Sequence, residues 1–429
     1  MKVCFETFGC RLNRAEALQQ EAEYLAKGWQ LTEKHSDANL IIVRGCSVTA
    51  KAQKNCELTI AHLKRKYPNT RVLVTGCLPS AQKPAQQQAH DNKFPVSPDT
   101  ISQFPNQSIQ SVNRSIGQSV NSQSVNSPLP TRTARAYLKV QDGCSGACTF
   151  CIVPKFRGKS VSKPFEELID QAKRFVDSGY HEIVVTGCNL SMYCDGMRHL
   201  PELLDALSAV DPGCRIRLGS LEPIGSSAAV VELMAERKNL CRFLHLPIQS
   251  GSQKILTAMK RPYSVKDVDS LVGKAAELMP GLGLGCDLMT GFPGETEIDF
   301  TATVGLLKRL PFTKAHVFPY SERPGTVAVA MPDAVPVDVR RHRAHVLADI
   351  ADEKRRLYTH RLVGKEVEVI LEDAKHFAGW TSEYVWCQPG DDQLVALTHR
   401  SKELPGRKEK MRFLVRSAHA HVLTGDVLN

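Results

Sequence analysis

The first eighty residues alternate short apolar runs with longer segments whose apolar positions repeat at helical spacing. Short runs of this kind predict buried strands, and the longer segments predict amphipathic helices. The predicted strands are Val3–Phe8, Asn39–Arg44 and Arg71–Thr75. The predicted helices cover residues 13–27 and 47–67, and their expected capping residues are Asn13, Glu16 and Ser47. Because strands that alternate with helices pair in parallel, this region predicts an N-terminal open parallel α/β domain over residues 1–80.

Residues 131–360 repeat the same alternation over a longer stretch, with helical patterns such as Pro164–Ser178 and Leu200–Val210. The six predicted strands are Ala136–Val140, Glu182–Thr186, Arg215–Gly219, Phe243–Leu246, Leu282–Met289 and Lys314–Phe318. Six strand–helix repeats in a row favour a partial (β/α)6 barrel, whose functional residues lie at the strand ends.

Two further segments have different patterns. Residues 81–130 are polar and contain the tetrapeptide Gln-Ser-Val-Asn three times, beginning at Gln110, Gln118 and Gln123, which indicates a low-complexity linker or insertion. Residues 364–429 contain alternating apolar and polar positions and no long helical pattern. We therefore expect a C-terminal small β-barrel there. The chain is accordingly α/β, with a polar segment after the first domain.

The composition of the chain indicates its class of partner and its cellular compartment. The chain has 429 residues, 42% of them hydrophobic, and a formal net charge of +10, which favours an acidic partner such as nucleic acid. No stretch of 18 apolar residues is present, and the N-terminus lacks the features of a secretory signal, so we expect a cytoplasmic protein with no membrane partner. In a reducing compartment, its 14 cysteines suit metal binding better than disulfides.

Three of these cysteines share one short segment. Cys144, Cys148 and Cys151 have the spacing C-x3-C-x2-C, which lets one loop turn three thiolates toward a single metal centre. Four cysteines usually hold a cluster that only carries electrons. Three leave one iron of a cubane open, which predicts a cluster that binds a substrate or cofactor directly. Three unrelated buried thiols are the alternative.

A second set of cysteines follows the three predicted N-terminal strands. Cys10, Cys46 and Cys77 each lie beside a glycine. The carboxyl ends of parallel strands meet at one edge of a sheet, so we expect these thiols to lie together there and to hold a second cluster. Cys4, inside a strand, and Cys56, inside a helix, are poorer ligand candidates.

Several motifs together resemble the radical S-adenosylmethionine (SAM) methylthiotransferase family across nearly the whole chain. They are Thr7-Phe8-Gly9-Cys10, Gly45-Cys46-Ser47-Val48-Thr49-Ala50-Lys51-Ala52, Gly76-Cys77, the Cys144–Cys151 loop, Ser220-Leu221-Glu222-Pro223, His245–Ser252, Gly291–Thr296 and Phe318–Thr326. The C-terminal barrel is similar to a TRAM domain. The 46–52 and 220–223 motifs are most similar to the branch that modifies N6-threonylcarbamoyladenosine at position 37 of tRNA. Arg44 and Gly45 depart from the pattern, because relatives commonly carry Asn and Thr there.

The resemblance implies two [4Fe-4S] clusters and SAM as cofactors. It implies that Cys144, Cys148 and Cys151 hold the SAM-binding cluster, and that Cys10, Cys46 and Cys77 hold an auxiliary cluster that donates sulfur in a shared cavity. The implied SAM contacts are Gly143, Glu222, Gln249, Gly291 and Gly294. The implied partners are a tRNA anticodon stem-loop, a flavodoxin- or ferredoxin-like electron donor and a sulfur donor. No side chain is singled out as catalytic.

Basic residues adjoin both cysteine sets. Residues 51–71 contain six Lys or Arg against Glu57 alone, and Lys155, Arg157 and Lys159 follow the cysteine loop, where we expect them to meet an anionic substrate. Three other hypotheses remain open. They are a sister methylthiotransferase acting on N6-isopentenyladenosine in tRNA or on a ribosomal-protein aspartate, an enzyme whose auxiliary cluster only relays electrons, and a non-catalytic RNA-binding protein with structural zinc.

Overall fold

A computed structural model describes residues 1–78, 133–400 and 408–428, and of residues 396–400 it describes the backbone alone. The predicted polar segment 81–130 lies outside the described residues. The described chain forms two compact units. The first unit contains residues 1–78 together with Asp142–Ser145 and Cys151–Lys163, and the second contains residues 133–141, Gly146–Phe150 and 164–428. Among the described residues, no helix combines the length and apolar character needed to cross a bilayer.

The first unit is built on a four-stranded parallel sheet with the strand order β2-β1-β3-β4. In chain order its elements are β1 (Lys2–Thr7), α1 (Arg11–Ala26), β2 (Gln30–Leu31), a 3-10 turn (His35–Asp37), β3 (Leu40–Gly45), α2 (Ala50–Lys66) and β4 (Arg71–Gly76). Strand β3 is central and fully buried, which explains its continuous run of apolar residues. The predicted open parallel α/β domain is confirmed.

Both predicted helix starts in this unit are wrong by two or three residues. Cys10, not Asn13, occupies the cap position of α1, while Asn13 is buried and donates hydrogen bonds to the carbonyls of Phe8 and Gly45. Thr49, not Ser47, caps α2, because the Ser47 hydroxyl donates to the Cys77 carbonyl instead. Both polar side chains satisfy buried backbone groups of the loops after the strands, and this need outweighs capping.

Strands β5 (Ala136–Lys139) and β6 (Gln141–Asp142) follow, and the segment after the cysteine loop forms α3 (Val153–Arg157) and β7 (Val161–Ser162). The next elements are α4 (Phe165–Asp177), β8 (Glu182–Thr186), a 3-10 turn (Leu190–Met192), β9 (Cys194–Asp195), β10 (Arg198–His199), α5 (Leu200–Val210), β11 (Arg215–Leu218), α6 (Ser227–Glu236), β12 (Phe243–Gln249), α7 (Gln253–Ala258), α8 (Val265–Leu278), β13 (Gly283–Thr290), α9 (Glu297–Arg309), β14 (Lys314–Pro319), a 3-10 turn (Val327–Ala330) and α10 (Val337–His360).

The six longer strands of this region form two parallel sheets, β5-β8-β11 and β12-β13-β14. Parallel bridges Ile216–Leu240 and Ser220–His245 continue the first sheet into the second. Strand order therefore follows chain order, as the predicted partial (β/α)6 barrel requires.

The C-terminal region of the second unit is a closed five-stranded barrel with the order β15-β16-β17-β19-β18. Its elements are β15 (Glu366–Asp373), β16 (Ala378–Thr381), β17 (Trp386–Pro389), α11 (Asp391–Arg400), β18 (Lys410–His419) and β19 (Val422–Leu428). The small β-barrel was predicted, but the expectation that it lacks a helix is wrong. The ten residues of α11 contain too few apolar positions to show a helical stripe in the sequence.

Candidate metal and cofactor site

The structure brings the three thiols of the first unit together. Cys46 and Cys77 follow β3 and β4 and are buried, whereas Cys10, at the start of α1, is exposed. A Cβ atom placed on Gly9 would lie only 2.9 Å from the Cys46 sulfur, so the chain beside Cys10 packs directly on Cys46. Burial, with smaller contributions from the neighbouring Cys10 and Cys77 thiols, raises the pKa of the Cys46 thiol to about 11. Three thiols this close suit a metal ion or cluster, which would hold them as thiolates.

Arg157 places a positive charge beside this set of three cysteines. Its Nε donates to the Cys77 sulfur at 3.0 Å, and its other nitrogens donate to Asn13, Glu16 and Asp142. Its side chain is 9% exposed. The expectation that Arg157 faces a substrate is therefore wrong, because its donors are engaged inside the first unit. Burial raises the pKa of the Cys77 thiol, and the Arg157 charge and hydrogen bond oppose this effect.

The two positions that depart from the family pattern have local explanations. Arg44 donates to Glu16 at 2.5 Å and to Gln20 at 2.8 Å, so that α1 is joined to the end of β3. At position 45 a Cβ atom would overlap with the Leu78 side chain, which lies in the buried cluster beneath Cys77. Arg44 and Gly45 are thus both accounted for by local contacts, and the three thiols lie together with these residues in place.

Cys56 is closer to this group than sequence reasoning suggested. The Cys46 backbone amide donates to the Cys56 sulfur at 3.4 Å, and the Cys56 thiol lies 3.7 Å from the Cys46 carbonyl. Cys56 is fully buried, and its sulfur contacts the backbone of Cys46. It therefore holds the loop that follows β3 in place. Its position makes it a matched control for substitutions of the three thiols.

The cysteine loop is fixed at both ends by backbone hydrogen bonds. In the first unit, the Cys144 amide donates to the Gly158 carbonyl at 3.0 Å. Gly143 has φ +66°, and a Cβ atom there would overlap with the Lys159 carbonyl, so only glycine suits this position. In the second unit, the Thr149 amide donates to Met259 at 3.1 Å. Cys144, Cys148 and Cys151 are all partly exposed, unlike the buried core cysteines, and so remain accessible as ligands.

In the second unit, Glu222 is part of a buried polar network that reaches Cys148. One Glu222 oxygen accepts from Arg261 at 2.7 Å and the other from Asn189 at 2.9 Å. Arg261 also donates to the Cys148 sulfur at 3.1 Å. The backbone amide of Asn189 donates to the side-chain oxygen of Gln141 at 3.0 Å, and this bond attaches the network to β6. A cation beside a ligand sulfur stabilises its thiolate form.

Gln249 lies at the end of β12 with φ +71°, an unusual conformation for a residue other than glycine. Its side chain is buried, and its Oε1 atom has no hydrogen-bond partner among the residues that the structure describes. A buried amide oxygen without a partner is costly, so it fits a site completed by a bound molecule. This orphaned oxygen is the feature of the second unit that best fits a cofactor.

The two glycines predicted to contact SAM differ in their surroundings. The Gly291 amide donates to Glu295 at 2.8 Å, and a Cβ atom there would overlap with the Arg340 side chain. Packing against Arg340 accounts for the glycine at position 291. A Cβ atom at Gly294 would meet no atom of the described residues within 4 Å. Contact of either glycine with SAM stays a prediction.

Exposed basic residues lie in the first unit near the ends of α2 and α3. Lys51, Lys54 and Arg65 of α2 are exposed, as are Lys155 and Lys159 around α3. These residues were expected to meet an anionic partner, and their charged side chains are exposed to solvent, unlike that of Arg157.

Sequence reasoning missed Arg157 as a thiol partner and Arg261 and Asn189 entirely. Arg261 is 113 positions from Cys148 in the chain and follows a short helix, so no periodic pattern marks it. The one signal in the sequence is the placement of Arg261 directly before Pro262 and Tyr263, at a helix end. Arginine is the residue best suited to bind a carboxylate and a thiolate at once.

Comparison with known proteins identifies the family of the chain. Residues 138–307 match the radical SAM superfamily, and residues 2–96 match the uncharacterized protein family UPF0004. The chain is 32% identical over 405 residues to a threonylcarbamoyladenosine tRNA methylthiotransferase MtaB of Bacillus subtilis (strain 168), covering 89% of each. It is also 32% identical over 410 residues to a tRNA-2-methylthio-N(6)-dimethylallyladenosine synthase of Methylacidiphilum infernorum (isolate V4), covering 88% of this chain and 87% of that protein.

Among solved structures, the fold is similar to that of the radical SAM methyltransferase TsrM from Kitasatospora setae. The TM-score is 0.51 at 14% identity, over 76% of this chain and 77% of that one. This likeness concerns the fold alone. From the curated relatives and the matched radical SAM region, the chain belongs to the radical SAM tRNA methylthiotransferase family of transferases, which use S-adenosylmethionine and two [4Fe-4S] clusters.

Proposed function

We propose that this enzyme adds a methylthio group to C2 of N6-threonylcarbamoyladenosine at position 37 of tRNA. The observation that carries the proposal is the gathering of Cys10, Cys46 and Cys77 beside Arg157 in the first unit. An auxiliary cluster on three thiolates keeps one iron free to hold a sulfur atom. The choice of base rests on the motifs at residues 46–52 and 220–223 and on the MtaB relatives.

The residues assigned to the two clusters have separate tasks. Cys144, Cys148 and Cys151 hold the cluster that binds SAM, and that bound pair supplies a radical able to activate an unreactive carbon. Arg261 stabilises the Cys148 thiolate, and Glu222 and Asn189 fix the Arg261 guanidinium. Gln249 and Gly294 contact SAM, because one offers an unsatisfied buried oxygen and the other an open surface.

The proposal includes a domain division and partners. Residues 1–80 form the methylthiotransferase domain, 81–130 a linker or insertion, 131–360 the radical SAM domain and 364–429 the TRAM-like barrel. The tRNA anticodon stem-loop is attracted by exposed charges such as Lys54, Lys155 and Lys159. A small electron-transfer protein and a sulfur donor complete the set in the cytoplasm.

The base can be identified by mass spectrometry of tRNA nucleosides from a deletion strain carrying either an empty vector or this gene. We expect 2-methylthio-N6-threonylcarbamoyladenosine to appear only with the gene. Relatives named dimethylallyladenosine synthases match equally well, so the corresponding methylthio-dimethylallyl nucleoside is measured in the same samples. Appearance of that nucleoside instead would refute the substrate assignment and retain the family chemistry.

The ligand assignment is tested by iron content in anaerobically reconstituted protein. Two cubanes give about eight iron atoms per chain. We expect Cys46→Ala and Cys144→Ala each to retain about four, and both to lose methylthio product. Cys56→Ala is the control, because Cys56 is buried beside Cys46 but is not a proposed ligand. Full iron content in Cys46→Ala would contradict the auxiliary site.

A further inference from the structure

A third group of metal-ligating side chains, which contains no cysteine, lies in the sheet β12-β13-β14. His245, Asp287 and His316 come from these three adjacent strands, one from each. One ligand atom from each residue lies within 4.8 Å of the other two. Asp287 Oδ1 is 3.3 Å from His245 Nε2 and 3.3 Å from His316 Nδ1. Ligands about 2.0–2.2 Å from a tetrahedral metal lie about 3.3–3.5 Å apart, so the two distances from Asp287 already match that spacing.

Strand alternation places this group on the sheet face opposite helix α10. Cys286, next to Asp287, is fully buried and interacts electrostatically with Lys354 of α10. Since successive residues of a strand point to opposite faces, Asp287 points away from that helix. His316 has a side chain 55% exposed, so an ion reaches the group from solvent. His245 is deeply buried and only 9% exposed.

The hydrogen bonding of His245 leaves one ring nitrogen unsatisfied. Its Nδ1 is 3.0 Å from the Ser220 hydroxyl, while its Nε2 is buried and makes no hydrogen bond within the described part of the chain, although Asp287 Oδ1 lies 3.3 Å away. In the tautomer with the proton on Nδ1, Nε2 directs a lone pair toward the Asp287 carboxylate. In that tautomer two acceptors face each other across 3.3 Å, an arrangement that a bound cation would stabilise. A ligand histidine whose other nitrogen is fixed by a hydrogen bond is typical of metal sites.

The local backbone and the donor types also suit a metal ion. A Cβ atom on Gly285 would lie 2.7 Å from the His245 ring, so a glycine here makes room for the imidazole. Two imidazoles and one carboxylate are a donor set used by zinc and by non-haem Fe(II).

We propose that His245, Asp287 and His316 form a third metal site, which binds one divalent transition-metal ion and is distinct from both iron–sulfur clusters. Three protein ligands leave at least one coordination position for water or another oxygen ligand. Ser220 orients His245 from the next strand end, as an outer partner of the site.

Zinc is the probe, because its absorption edge is separate from that of the cluster iron. Full-length protein with both clusters reconstituted is incubated anaerobically with zinc chloride and desalted. We expect about one zinc per chain by mass spectrometry, with zinc K-edge spectra showing nitrogen and oxygen neighbours at about 2.0–2.1 Å and no sulfur near 2.3 Å. Sulfur neighbours would mean that zinc occupies cysteines, and would overturn the proposal.

Zinc affinities of substituted proteins test which residues bind the ion. Asp287→Asn and His316→Asn should weaken zinc binding by more than about 100-fold, and Ser220→Ala by about 10–100-fold, as is usual for outer partners. His376→Asn is the matched control, because His376 pairs with Asp373 at 2.6 Å without a third ligand and should leave zinc binding unchanged. Unchanged circular dichroism shows that each variant is folded. Failure of the wild type to retain zinc, or wild-type affinity in His316→Asn, refutes the site, whereas the nucleoside assay above is independent of this readout.

Discussion

Glu182 is the carboxylate on which the second unit depends most, and Glu182→Gln tests that dependence. Its side chain is fully buried on β8. One oxygen accepts from Arg217 at 2.7 Å, and the other accepts from Arg215 at 2.5 Å. Arg135 lies 3.8 Å away. The two strand-β11 arginines donate their remaining hydrogens to carbonyls of the C-terminal barrel, those of Glu368, Trp380, Thr381 and Ser382. Glu182 thus holds the guanidiniums that join the barrel to β11.

The loss of stability expected for Glu182→Gln follows from the removal of its negative charge. Glutamine keeps one acceptor but removes the negative charge that neutralises two guanidiniums that are at most 5% exposed. Loss of one partner from a buried ion pair costs about 3–5 kcal/mol, so the free energy of unfolding should fall by about that amount. For a domain of this size, that loss lowers Tm by roughly 6–20 °C. Urea titration followed by circular dichroism measures the change.

A second carboxylate near the Arg215 guanidinium, that of Glu368, provides a matched control. Glu368 lies 3.8 Å from Arg215, but its side chain is 42% exposed. Exposed pairs contribute less than about 1 kcal/mol, so Glu368→Gln should leave the urea midpoint nearly unchanged. Equal effects of the two variants, or a loss below about 1 kcal/mol in Glu182→Gln, would refute the reasoning.

The same carboxylate predicts a pH dependence. Burial raises the pKa of Glu182, but Arg217 and Arg215 outweigh burial and hold this pKa well below its ordinary value of 4.5. A group whose pKa is lower in the folded state stabilises the fold above its unfolded pKa and loses this contribution as the pH falls. The wild-type protein should therefore lose stability below about pH 4.5, and Glu182→Gln should show a shallower decline.

Three further predictions concern the cysteine sites. Arg157→Gln removes the donor to Cys77, so the auxiliary cluster should become harder to reduce and activity should fall about 10–100-fold; a potentiometric titration followed by electron paramagnetic resonance would show no shift if Arg157 only fills space. Arg261→Lys keeps a charge but loses the fork that joins Cys148 to Glu222, so SAM cleavage should slow about 10–100-fold, and wild-type cleavage would argue against this role. Gly143→Ala introduces a Cβ that overlaps with a backbone carbonyl, so iron content should fall by about four atoms per chain; full content would show that the loop adjusts.

The main strands could be predicted from sequence because their signal is local. The buried strand β3 begins with four apolar residues, Leu40 to Val43, and β8 and α5 have the predicted limits. Helix starts were less predictable, since Asn13 and Ser47 serve distant backbone carbonyls and not the helix ends beside them. Local patterns favour the nearest partner, and the folded chain selects the best buried one.

The candidate site shows the same division between local and long-range information. Tight cysteine spacing and glycines after strands are visible in the sequence, so both thiol sets could be proposed from it. The contact of Arg261 with Cys148 joins residues 113 positions apart, and His245, Asp287 and His316 come together only because β12, β13 and β14 are adjacent. The first arrangement depends on a contact between two loops and the second on the pairing of strands, and one sequence displays neither.

The division of the chain between its two units affects how it can be dissected. Residues Asp142–Ser145 and Cys151–Lys163 belong with the N-terminal sheet and not with the strands on either side of them in sequence. Arg157 joins them there through Asn13 and Glu16. A fragment that begins at residue 131 would thus keep Cys144 and Cys151 but lose the scaffold on which their flanking segments rest. Expression of such a fragment should give a protein with a defective cysteine loop, so the segments that flank Cys148 need the N-terminal sheet to be present.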